Sequence, residues 1–165
     1  MNRPLAPLAL VCLLATALAA QSAQNASAGA RARAPVAVKA SFDLTWAAVV
    51  KVVNGEMIND RFIIVEESEG YRRGSWVMRV PSGDFRAASW ASCRSGGEPP
   101  VAPRAGRAEV VVRADSAGAT VAVTVEWNGQ NPNDVQQPMQ CRDLGEYAKS
   151  VEGDIRKNAE RAARR

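Results

Sequence analysis

Histidine is absent from all 165 residues. Without an imidazole, a cysteine or serine nucleophile lacks its usual base, and the commonest metal ligand is missing. The three cysteines show no C-x-x-C spacing, so the ligand sets of structural zinc sites do not form either. G-x-S-x-G and S-x-x-K are lacking, as is a Gly-rich phosphate loop. Beyond the N-terminus no run approaches the roughly 20 apolar residues that a membrane-spanning helix needs. Excess charge is scarce as well, despite a formal net charge of +4. Residues 154 to 165 carry Arg156, Lys157, Arg161, Arg164 and Arg165 against Asp154 and Glu160, and the stretch from 21 to 153 balances to neutral. A basic helix end of this kind complements the negative pole of its own macrodipole, which leaves no nucleic-acid footprint on the body of the chain.

What is present begins with an address. Met1, Asn2 and Arg3 precede an uncharged stretch from Pro4 to Ala20 that closes on small residues at Ala17, Ala19 and Ala20. This is the pattern of a cleaved secretory signal over residues 1 to 20, implying a periplasmic or secreted product. Val11 stands directly before Cys12, where lipid attachment requires a small residue, so Cys12 is expected to leave with the signal. Cys93 and Cys141 then remain in an oxidising compartment, where two thiols pair. Closing that loop is expected to stabilise the fold by about 4 kcal/mol in the chain-entropy model.

Residues 21 to 34 have no periodicity and read as a flexible leader; 35 to 165 suit a single domain with one core. Alternation at Val36, Val38 and Ala40 predicts a first strand. Trp46, Val49, Val50 and Val53 then recur at helical spacing over 41 to 54, with Asp43 placed to cap and Gly55 to stop. The apolar run Phe62, Ile63, Ile64, Val65 predicts a strand emerging from the core within 58 to 69. After a turn over 70 to 73, a second strand over 74 to 80 faces inward with Trp76, Met78 and Val80. Ala108, Val110, Val112 and Ala114 alternate into the turn Asp115-Ser116-Ala117-Gly118, and Val121, Val123, Val125 and Trp127 alternate out of it. Gly and Pro make 94 to 106 and 128 to 140 loops. A final helix, with Asp143 and Glu146 as a variant capping box, presents Leu144, Ala148, Val151, Ile155 and Ala159 as its stripe. The expectation is an α+β fold, β-α-β-β-β-β-α, in which two helices cover one face of an antiparallel sheet of about five strands.

The segments "SFDLTWAAVVKVV", "SCRSGG", "TVAVTVEW" and "CRDLGEYAKSVEGDI" together resemble small bacterial envelope proteins of the BamC-like type over roughly residues 36 to 162. That resemblance implies a compact α+β domain used as a binding or assembly accessory at the outer membrane, with no catalytic residues to carry over.

Two further groups are candidates for function. Glu66, Glu67 and Glu69 invite a carboxylate-dependent cell-wall hydrolase, although strand-end charges beside Arg72 and Arg73 account for them more simply. Trp90, with Phe85, falls in a poorly patterned stretch before Cys93. An aromatic beside two tethered loops is a reasonable partner contact, with core filling as the plainer account. The expected function is therefore a non-enzymatic exported envelope protein without cofactor or metal. Its partner would be another envelope protein or a cell-wall component, and an inhibitor or immunity protein directed at a periplasmic hydrolase is the alternative.

Overall fold

In the computed structural model, the described residues are 33–56, 62–80, 84, 86–94, 99–130 and 138–165. The expected signal, most of the leader and Phe85 lie outside them. The fold is α+β, with an antiparallel sheet and its helices built around one apolar cluster. Strand β1 (Val36–Val38) leads into helix α1 (Phe42–Glu56), followed by β2 (Ile63–Ser68), β3 (Tyr71–Arg79) and a one-turn helix α2 (Ala87–Trp90). Then come β4 (Ala91–Cys93), β5 (Ala105–Asp115), β6 (Gly118–Gln130), β7 (Pro138–Asp143) and α3 (Glu146–Ala162).

The central hairpin forms where alternation demands it. Ala108, Val110 and Val112 of β5 and Val121, Val123, Val125 and Trp127 of β6 all point into the core, in register from Asp115↔Gly118 to Ala105↔Asn128. β3 extends this layer on one side and β2 forms its outer edge, in the order β2-β3-β5-β6-β7-β4. Trp46, Val49 and Val53 of α1 and Val151, Ile155 and Ala159 of α3 are buried in the same cluster.

Several expectations require correction. The loops over 94 to 106 and 128 to 140 contain sheet. β5 begins at Ala105, β6 runs to Gln130 and β7 starts at Pro138, so two short strands join the five that were expected. Their ladders are specified by pairing with each other and with the end of β6, which leaves no hydrophobic periodicity in so few residues. The stretch Ile63, Ile64, Val65 does not emerge from the core. Its side chains are 56%, 50% and 46% exposed because β2 is the outermost strand among the described residues, and Phe62 packs inward, 5.7 Å from Trp46 and 6.2 Å from Trp76 between ring centroids. The turn between β2 and β3 sits at Glu69-Gly70, with Gly70 at φ +69°, so Tyr71 to Arg73 are already strand. Ser41 receives the first-turn N–H of α1, Leu44 N–H donating to its Oγ at 3.4 Å, while Asp43 points outward to Arg72. Leu144 is 46% exposed, and Tyr147 takes its place as the first buried residue of α3.

β6 has two neighbours on the edge opposite β5. Val121 to Ala119 pair with β1, and Asn128 to Gln130 pair with β7. In the gap between them the Val123 N–H donates to Glu152 Oε1 at 3.0 Å, so a helix carboxylate substitutes for a strand. Glu152 is only 2% exposed, and its other oxygen lies 3.1 Å from Arg33 Nη2 as an ion pair without hydrogen-bond alignment. Arg33 Nη1 also donates to the Gly145 carbonyl at 3.0 Å. The end of the expected leader is thus fastened to α3.

Candidate functional site

Cys93 and Cys141 are bonded, as the two-thiol argument predicts. Their residues face each other across β4 and β7 with Cα atoms 4.0 Å apart. The closeness has a backbone cause. Cys93 N–H donates to the Val101 carbonyl at 3.1 Å and Val101 N–H donates to the Cys93 carbonyl at 2.9 Å, so both polar groups of Cys93 point away from β7. The Cys93↔Cys141 position is therefore the non-hydrogen-bonded, narrow kind of antiparallel pair, where side chains approach most closely. Gly129 of β6 makes room for the bond. A Cβ at that position would stand 2.8 Å from Cys93 Cβ, 2.9 Å from Cys93 Sγ and 3.2 Å from Cys141 Sγ. Because Val101 leads directly into β5, the hydrogen-bonded path β5-β6-β7-β4-Val101 returns nearly to its start, and the sheet curls on itself at this corner.

Trp90 closes the corner from the side. It is half-buried and stacks on Trp127 with centroids 5.8 Å apart, and Tyr147 meets both rings edge-on at 5.2 and 5.5 Å. Three aromatic rings in contact are worth about 0.5–1.5 kcal/mol per pair beyond their area. Asp143 ties the cluster to the helix entry, its Oδ1 accepting Trp127 Nε1–H at 2.9 Å and Gly145 N–H at 3.1 Å. It does so in place of a regular capping box, since α3 starts after Gly145 at φ +79°. Leu144 N–H donates to the Trp90 carbonyl at 2.9 Å. Above Trp90 lies the Arg86 guanidinium, 5.8 Å from the ring centre and held by both oxygens of Asp84 at 2.9 and 3.1 Å. That side-chain clasp holds the Asp84 carboxyl below the usual carboxylate range.

On the solvent side of β4 and β7 is a shallow depression of about 420 Å³, lined by Ser92, Arg94, Arg142 and Leu144. A second, of about 420 Å³, lies along the end of α3 between Lys157, Glu160, Arg161, Arg164 and Arg165. Lys157 there pairs with Asp154 at 3.3 Å, and Glu160 accepts the Lys39 N–H at 3.3 Å.

The carboxylates of the hydrolase alternative are not brought together. Glu66 pairs with Arg73 at 3.5 Å and Glu67 with Arg72 at 2.6 Å, from adjacent positions facing opposite sides of the edge hairpin. Glu69 occupies the turn. Among the described residues no group of His, Cys, Asp or Glu is arranged to hold a metal, and no helix is long and apolar enough to cross a membrane. Of the expected contact pair, Trp90 is half-buried beside the disulfide corner and Phe85 falls outside the described residues. Sequence reasoning did not single out Tyr147 or Gly129 as supports of Trp90 and the disulfide. It also missed Glu152, whose one legible signal was a carboxylate at i+4 from Ala148 and i−3 from Ile155, within the apolar stripe of α3.

Comparison of the chain with protein-family models, with curated proteins and with solved structures finds no match.

Proposed function

We propose that this chain is a non-enzymatic, exported envelope protein that acts as a binding or assembly accessory, and that its contact surface is the disulfide-tied corner carrying Trp90. The single observation behind this reading is that corner itself. A covalent bond, a three-ring stack and an Arg86–Asp84 clasp hold one half-buried tryptophan in a fixed orientation at the protein surface. Rigid aromatic anchors of this type carry a large share of interface energy. The disulfide supports a periplasmic or secreted location, because such bonds persist in oxidising compartments. The separate pairing of Glu66 and Glu67 with arginines supports a non-enzymatic role over carboxylate-dependent hydrolysis, which needs two carboxyls flanking one substrate.

The test is recovery of partners from an envelope extract by crosslinking and pull-down. Trp90→Ala and Phe85→Ala are compared with wild type, and Trp90→Phe serves as a control that keeps an aromatic ring in the stack. Loss of partners with the alanine variants, and retention of the wild-type melting temperature by Trp90→Phe, are expected. Equal recovery by all variants would remove this corner from consideration.

A further inference from the structure

The outward face of the same corner repeats a dipeptide: each bonded cysteine is followed by an arginine, Cys93-Arg94 and Cys141-Arg142. In a strand successive side chains alternate faces, so a bond that turns both sulfurs inward turns both following side chains outward. Arg142 lies directly opposite Ser92 in the β4–β7 register. Arg94 follows two residues after Ser92, which makes it a diagonal neighbour of Arg142 on the same face. Both arginines are exposed, and neither has a carboxylate partner among the described residues. Among the described residues, the acidic groups that adjoin Arg142 and Leu144 in the chain are committed elsewhere. Asp143 faces inward to Trp127 and Gly145, and Glu146 pairs with Lys149 at 3.9 Å. Among the described residues, Ser92, Arg94 and Arg142 line the depression of about 420 Å³ together with Leu144, an aliphatic side chain left out of the core.

We propose that Arg94 and Arg142 form a clamp for a carboxylate attached to a small aliphatic group, such as an acidic chain terminus, with Leu144 receiving the aliphatic part. The planar guanidinium fork matches a carboxylate in two parallel hydrogen bonds, and two such forks converging on one anion relieve the mutual repulsion of adjacent like charges. The disulfide acts as the positioning element, since it holds the backbone immediately before each arginine. This deepens the binding reading above, and rests on it, by naming the chemistry recognised at that corner.

The probe is N-acetylleucine, titrated into the oxidised mature protein while the backbone amide shifts of residues 92 to 94 and 141 to 144 are followed by NMR. Inorganic phosphate is titrated in parallel. Saturable shifts confined to these residues are expected with N-acetylleucine. Arg94→Ala and Arg142→Ala should each weaken binding roughly tenfold at an unchanged melting temperature, because both side chains are exposed, and Leu144→Ser should weaken it without abolishing it. The clamp is overturned if no saturable shift occurs, if the double arginine variant binds as wild type does, or if phosphate binds equally well and Leu144→Ser has no effect. Running the arginine variants in the pull-down separates the two levels of the reading. Partners lost with Trp90→Ala while the probe fails to bind sinks the clamp alone, whereas partners recovered equally by every variant sinks the contact surface.

Discussion

At Gly129 a single hydrogen in place of a methyl decides whether β6 can lie against the disulfide. The 2.8 and 2.9 Å that a Cβ would find to Cys93 are shorter than real contacts, and the obstacle is a cross-linked residue that cannot rotate away. Gly129→Ala is therefore expected to cost about 1–3 kcal/mol, as overpacking a tight site does. Thermal melts of the oxidised variant and wild type check this, and equal midpoints would show that β6 shifts without penalty. The glycine is plain in the sequence, but its reason is not, because the sulfur it must avoid is supplied by residues 36 and 12 positions away along the chain. Ile63, Ile64 and Val65 teach the converse. Their composition reads as core, yet the exposed edge is where they stand, since being apolar says nothing about which strand ends the sheet.

At the scale of elements, β4 and β7 are the ones most in need of the cross-link. Each makes only a short ladder, with β4 pairing three residues of β7 and β7 pairing three of β6. The hairpin β5–β6 and helices α1 and α3 carry most of the apolar cluster without them. A Cys93→Ala, Cys141→Ala variant should accordingly lose about 4 kcal/mol, with the loss felt first at this corner. Hydrogen exchange provides the readout. The amides of Cys93, Val101 and Leu144, which bond to Val101, Cys93 and Trp90, should exchange faster well before those of β5 and β6. Uniform acceleration across the whole sheet, or melting together with the oxidised protein, would show that the corner holds without the bond. Long periodic elements such as α1, β5, β6 and α3 were legible from their spacing. These two strands were not, because three-residue ladders owe their existence to the partner they pair with.

Over the whole molecule, the segment before β1 and the last helix are joined through one buried carboxylate. Glu152 substitutes for a strand at Val123, and the charge this places inside the fold is offset by Arg33, three residues before β1. Arg33→Ala should leave Glu152 buried with a single hydrogen bond, at a cost of about 1–3 kcal/mol, kept modest because Arg33 is itself about one-third exposed. Chemical denaturation of Arg33→Ala and of an Arg31→Ala control measures it, and a stability loss equal in both would assign the effect to net charge.

Residue order alone carries the secondary-structure class, the inward faces of the main strands and helices, and the pairing of Cys93 with Cys141. Each of these follows from local periodicity or from counting the thiols that remain when residues 1 to 20 are read as a signal. Long-range packing is what makes β2 the outermost described strand, rests Trp90 on Trp127 and Tyr147, sets Arg94 and Arg142 on one face, and brings Arg33 to Glu152. Those depend on which strand lies beside which, and the hydrogen-bonded pairing of segments far apart in the chain leaves no trace in the order of residues within either segment.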